Sequence, residues 1–316
     1  QTLKNYIYRV CQFKSSNIPS QEVFGGPMQQ DAMEFFSFML DILDDENNRH
    51  RDHPEPPALT KEEELIFQRE GYHASITFHY HRWMAAHASI LSQKMAIMTM
   101  QISQCSSCGW QWPNHAPPKY YLTLNLPQKR KEANLKDILA SHYNAQGACT
   151  EITEDFSCEK CTKRTGKKVS RKVSESITRL PDTLVFALVR NIWTDRGDQA
   201  KNEIQVRFPL EELDMAPYFF GMPEDKKRAL NGRSITKYRC YAVVQHHGKA
   251  VNEGHYTALV RERNDRQDGR GALQQRTKEG KWWRFDDQKV TPRHESETQK
   301  ASSYLLFYEK IENARD

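Results

Sequence analysis

Long apolar stretches are missing from this chain of 316 residues. No run approaches the roughly 18 residues a membrane-spanning helix requires, and the opening QTLKNYIYRV lacks the hydrophobic stretch of a signal peptide. Blocks of like charge are scarce too. Forty-six Lys and Arg against 41 Asp and Glu leave a net charge of +5, spread through mixed-sign sequence, which predicts no membrane and no nucleic-acid partner. No methionine precedes Met28 and the chain opens on Gln1, so it is expected to be processed or to be a piece of something longer. The apolar share is 38%, below the usual globular value, yet 14 Phe, 13 Tyr and 6 Trp supply rings enough for a core and exclude a disordered polymer.

Cysteine is also sparse, and its placing is informative. Four of the seven form two Cys-x-x-Cys pairs, and Cys11, Cys149 and Cys240 are scattered. That usage fits metal ligation in a reducing, intracellular setting, cytoplasm or nucleus, better than a secreted disulfide scaffold. Two residues between cysteines let both thiolates of a pair reach one tetrahedral ion. Cys105, Cys108, Cys158 and Cys161 together would close the shell of a structural zinc, with no position left for a substrate.

Periodicity predicts an α+β chain. PMQQDAMEFFSFMLDILDD places Met28, Ala32, Phe35, Phe36, Met39 and Leu43 three and four apart, the stripe of an amphipathic helix, with Asp31 and Glu34 beside it. ENNRHRDHPEPPALTKEEE is a polar connection. A helix-like segment follows over 65–89, and a short helix is predicted over 135–143. Beyond Met95, KMAIMTMQIS, KYYLTLNLP, LPDTLVFALVRN, RCYAVVQHHG, HYTALVRE, KWWRFDD and SSYLLFYEK read as antiparallel strands. RNDRQDGRGALQQRTKEG reads as an inserted loop.

His255 opens one strand and Asp286 closes another. If the two strands are neighbours, a carboxylate can hold an imidazole in one tautomer, the base half of a nucleophilic triad. Taken singly, the pair reads sooner as a surface histidine and a turn aspartate, and Asp31 and Glu34 as a solvated helix face.

The boxes QQDAMEF, the paired Cys-x-x-Cys, QHHGKAVNEGHYTALVR, KWWRFDDQKV and SYLLFYEK, in this order from about Met28 to Glu309, resemble the ubiquitin-specific proteases, papain-like cysteine deubiquitinases. The resemblance implies one catalytic domain over 1–316: a partial helical thumb (1–94), zinc-ribbon β fingers over most of 95–190, and an antiparallel β palm over most of 191–316. It makes His255 the base and Asp286 its orienting residue. Asp31, Glu34, Gln29 and Gly254 would then bind the arginine-containing, Gly-Gly-ending tail of ubiquitin, and the four cysteines would hold the zinc. Gly248 and Gly254 flank a loop similar to the family's blocking loop, where glycine lets backbone approach backbone, and His246 and His247 are placed in that loop as polar groups.

The chain departs from the family pattern at the nucleophile. No box of the type GNTCYMN occurs in residues 1–28, and Cys11, in YRVCQFKSS, reads as a small buried residue. The thiolate is the attacking group, so the expectation is a deubiquitinase whose Cys lies upstream of residue 1 and a chain inactive by itself. The alternative is a non-catalytic ubiquitin-binding scaffold.

Overall fold

The computed structural model describes residues 24, 30–53, 56, 60, 62–63, 71–128, 130–143, 151–193, 197–221, 235–248, 253–262 and 280–311. Cys11, Gln29, Cys149, Lys249 and Asn252 lie outside them. The mixed α+β class expected from periodicity is what folds. Helices α1 (Ala32–Asn47), α2 (Tyr72–Met84) and α3 (Ile90–Met95) precede the first strand. Strands β1 (Met98–Cys105), β2 (Gln111–His115) and β3 (Leu122–Asn125) follow, then α4 (Leu135–His142), β4 (Glu151–Phe156), α5 (Glu159–Thr165), β5 (Val169–Arg179) and β6 (Thr183–Val189). The remainder supplies β7 (Lys237–His247), β8 (His255–Arg261), β9 (Trp282–Asp286), β10 (Lys289–Arg293) and β11 (Ser303–Lys310).

Two sheets carry the architecture. A four-stranded sheet runs β2-β1-β5-β4, all antiparallel. The larger sheet runs β10-β9-β8-β7-β11-β6-β3, with Leu213–Asp214 added against β7. Every apolar run read as a strand is one, but not every pairing is antiparallel: β3 lies parallel to β6, Leu124 opposite Leu188. Parallel neighbours need a long crossover, and here it contains α4, β4, α5 and β5, so the stretch 95–190 is shared between the two sheets. The core gathers Leu122, Leu124, Leu135, Leu139, Phe186, Val243, Leu259, Trp282, Leu306 and Tyr308 on one face of the larger sheet.

The helical stripe differs from expectation. Leu40 and Ile42 are the buried apolar residues of α1, whereas Phe35 and Leu43 are exposed, Phe35 lying edge-on against Phe24. Phe36 does turn inward, against Phe307 of β11 and Tyr121. Between β7 and β11, two β-bulges break strict alternation. Between Cys240 and Ala242 the register of β7 against β11 slips by one, so the inward set passes from Tyr238 and Cys240 to Val243 and Gln245. A second slip pairs Val244 with Leu305 and Gln245 with Ser303, leaving Tyr304 as the extra residue. Bulges of this kind re-aim side chains beside functional sites.

Candidate active site

Alternation along β8 sends His255 and Tyr256 to opposite faces of the larger sheet, and each meets a different constellation. On the first face, β8 and β9 pair with Ala258 opposite Phe285. Continuing that register puts Asp286 opposite Thr257, so His255, two residues further, is its diagonal neighbour on the same face. His255 Nε2 donates to Asp286 Oδ1 at 2.7 Å, the contact that the two sequence boxes suggest. Asp286 Oδ2 lies 3.2 Å from Arg284 Nη2. The His255 hydrogen bond and the Arg284 cation hold the Asp286 carboxyl below its ordinary range. A tight turn follows, with Asp287 in the left-handed region (φ 52°). Across β7, His247 pairs with His255 and bonds Thr257 Oγ1 through Nε2 at 2.8 Å. Because Nε2 of His255 is directed at the carboxylate, Nδ1 is the ring atom left to take a proton. Both side chains are partly open to solvent.

On the opposite face, Asp31 is not a residue of the helix at all but its N-cap. Oδ1 accepts from the backbone N–H of Met33 (2.7 Å) and Glu34 (3.1 Å), satisfying two otherwise orphaned donors. Oδ2 accepts from Tyr256 (3.0 Å) and the bulged Tyr304 (2.8 Å), tying α1 to the sheet. Burial, then the Asp31 charge, raises both tyrosine hydroxyls far above their ordinary value. Glu34 is exposed in the first helical turn, so the two carboxylates predicted to face one groove occupy different environments. Asp31, Tyr256, Tyr304, His246, Arg190 and Lys201 line a cavity of about 20 Å³.

His246 and His247 are strand residues, not the loop groups expected from sequence. His246 is 4% exposed and stacks on Tyr256, its pKa lowered by burial and by Lys201. The loop neck bears out the need for glycine. A Cβ on Gly254 (φ 150°) would lie 2.1 Å from the His247 carbonyl oxygen, and one on Gly248 (φ 155°) 2.2 Å from that of Glu253. Strand alternation in GHYTALVR could have singled out Tyr256. Arg284, two residues before Asp286, was readable in the same way, whereas Tyr304 depends on a bulge with no local signal.

The four knuckle cysteines meet at the end of the small sheet. Their sulfurs all lie within 4.8 Å of one another, with Cys105–Cys161 and Cys108–Cys158 each 3.8 Å apart. Bonds of about 2.3 Å to a tetrahedral centre give edges of about 3.8 Å, so this donor set fits a metal of that preference. Gly109, at φ 70°, closes the first knuckle with its N–H on the Cys105 carbonyl. Cys158 begins α5 and Gly166, at φ 67°, ends it. Burial opposes ionisation of Cys105, but the N–H groups of Cys108 and Ser107 outweigh it and hold the thiol below its ordinary value. Cys240 is buried elsewhere, and burial pushes its thiol upward. Among the described residues no thiol is bonded to His255, and no helix is long and apolar enough to cross a membrane.

Comparison with known proteins places the chain in a family. A family model described as "Ubiquitin carboxyl-terminal hydrolase" matches residues 4–308. "Ubiquitin carboxyl-terminal hydrolase 3" of Homo sapiens is 29% identical over 301 residues, 90% of this chain and 49% of that protein. "Ubiquitin carboxyl-terminal hydrolase 5" of Saccharomyces cerevisiae is 27% identical over 315 residues, 96% of this chain and 35% of that one. The chain thus spans half or less of these relatives. In the solved SAGA Ubp8/Sgf11/Sus1/Sgf73 DUB module bound to ubiquitin aldehyde, one chain shares the fold with a TM-score of 0.64 at 21% identity, over 99% of this chain and 55% of that one. With nearly the whole sequence matched by the family model and the four-cysteine cluster and His–Asp pair assembled, this chain belongs to the ubiquitin carboxyl-terminal hydrolase family.

Proposed function

We propose that this chain is the greater part of a thiol-dependent deubiquitinase domain that cleaves the bond after the C-terminal glycine of ubiquitin in protein conjugates. The observation that carries this reading is the 2.7 Å bond from His255 Nε2 to Asp286. Asp286 fixes the ring with Nδ1 as the basic nitrogen, so that Nδ1 takes the proton of a thiol and the thiolate attacks the glycyl carbonyl carbon. Nδ1 then returns the proton to the departing lysine amine, and water hydrolyses the thioester. The nucleophile comes from a segment other than the described residues, whose thiols are buried or clustered as metal donors, and residues 1–316 are expected to be inactive alone.

Asp31, Glu34, Gln29 and Gly254 form the channel for the ubiquitin tail: Glu34 as the free carboxylate for an arginine, Asp31 as the anchor of the wall, Gly254 as the place where backbone meets backbone. The four cysteines hold a structural zinc whose chemistry is to pin two chain-distant knuckles. In domain terms the helices before Met95 are the thumb, the four-stranded sheet is the fingers and the larger sheet is the palm. Unpaired thiols at all five described cysteines suit a reducing, intracellular compartment.

The test joins a nucleophile-bearing upstream segment to this chain and measures hydrolysis of a ubiquitin C-terminal ester. Turnover that His255→Ala removes, by up to several thousandfold if the pair behaves like other triads, supports the reading. Inactivity of the joined protein with its fold and metal verified would favour the non-catalytic ubiquitin-binding scaffold, which the lack of a thiol bonded to His255 among the described residues keeps as the second reading.

A further inference from the structure

The whole chain carries a net charge of only +5, but the fold concentrates positive charge at one place. Seven Lys and Arg fall between positions 160 and 172, with no Asp or Glu among them. That segment is the tip of the four-stranded sheet, running through α5, the Gly166 turn and the start of β5. Two of the cations are held on rings. Trp110, Trp112 and Phe156 stack face to face with centroids 4.7 and 5.0 Å apart. Lys160 caps the outer face of Trp110 at 5.2 Å and Arg171 that of Phe156 at 5.1 Å. The stack packs on the cysteine cluster, making the tip a rigid platform.

Arg164, Lys167, Lys168 and Lys172 are exposed and make no ion pair among the described residues. The turn that carries them is ordered, with the Gly166 N–H on the Thr162 carbonyl (2.8 Å) and the Lys167 N–H on Thr165 Oγ1 (3.3 Å). Pre-arranged cations lose less entropy on binding. We propose that this ribbon tip is a docking surface for a short acidic segment of a partner protein, independent of the thiol chemistry proposed above. Two features favour a protein over a nucleic acid. Ile152, directly across from Lys172 in the β4–β5 pairing, is 61% exposed and offers an apolar contact that a phosphate backbone cannot use. Glu151, Glu154 and Asp155 border the cations along β4 and would repel a long continuous polyanion, whereas a short segment avoids them.

The experiment is fluorescence anisotropy with the metal-loaded chain and a labelled twelve-residue peptide of Glu and Asp around one Leu. Affinity is expected to fall as salt rises. Arg164→Gln, Lys167→Gln, Lys168→Gln and Lys172→Gln together should weaken binding on the order of tenfold, each exposed pair being worth roughly a twofold change. A control with Lys119→Gln, Lys131→Gln, Lys136→Gln and Lys281→Gln removes the same charge elsewhere and should change affinity less than about twofold. Circular dichroism and metal content verify that both variants keep the fold. Equal loss in both variants would reduce the effect to net charge and overturn the proposal. Displacement of the peptide by a duplex DNA at lower concentration than by the unlabelled peptide would also overturn it, assigning the tip to nucleic acid. Since the assay needs no catalysis, it succeeds or fails independently of the deubiquitinase reading.

Discussion

Asp31→Ala should destabilise this protein by about 3 kcal/mol, because one carboxylate performs two structural tasks. Oδ1 caps α1 through the Met33 and Glu34 N–H groups, and losing an N-cap costs about 1 kcal/mol. Oδ2 is the acceptor for Tyr256 and Tyr304. Both hydroxyls are partly buried, and each loses a charged acceptor; with some water replacing it, about 1 kcal/mol apiece is the lower end of the expected cost. Asp31→Asn keeps the capping oxygen but not the charged acceptor and should cost about half as much. Asp31→Arg should exceed alanine, since it adds a cation beside the helix N-terminus, where the dipole disfavours it. Glu34→Arg, on an exposed residue with no tertiary bond among the described residues, is the cleaner probe of tail recognition. Urea unfolding followed by circular dichroism measures the series, with Tyr304→Phe alone and combined with Asp31→Ala to extract the coupling. A cost below about 1 kcal/mol for Asp31→Ala, or zero coupling to Tyr304, would refute the reasoning.

Elemental analysis should find one zinc per chain, and a chelator that removes it should loosen the tip of the four-stranded sheet, because the ion would tie together two knuckles far apart in the chain. His115, stacked on His79 at 4.0 Å and bonded to Ser75, has its pKa lowered to about 3 by burial and by that neighbour. The folded state therefore favours the neutral ring, so its contribution is complete above the ordinary value of 6.5 and is lost as pH falls from there towards 3. Melting temperature should decline over that window, and His115→Gln should flatten the decline; an unchanged slope would remove His115 as its cause. Gly254→Ala should cost about 2 kcal/mol or more, since its Cβ would collide with the His247 carbonyl, and a neutral result in thermal melts would show that the loop neck yields.

Local pattern carried much of this protein. Alternation and aromatic content identified all seven apolar strands, helical spacing located α4 to within a residue, and two knuckles of two-residue spacing announced four thiols around one centre. The His–Asp pair was legible because neighbouring antiparallel strands have few ways to place their ends. Segments 111–115 and 169–179 stayed hidden: QWPNH has no buried residue, and VSRKVSESITR seats Ser174, Ser176 and Thr178 among its buried positions, so neither shows clean apolar alternation. Summed charge likewise hid the basic tip, which exists as a surface only once α5 turns back into β5.

The tertiary structure alone decided what Asp31 does. Its neighbours in sequence suggest a helix face, but its second oxygen is bound by residues 225 and 273 positions away. That contact requires α1 to be docked by Phe36 against Phe307, β8 to send Tyr256 to the α1 side, and a bulge to aim Tyr304. Periodicity specifies which way a side chain leaves its own element. Which partner it meets there is set by how the elements pack and by where a ladder slips by one residue, and such slips are chosen by the summed burial of two sheets rather than by any local run of residues.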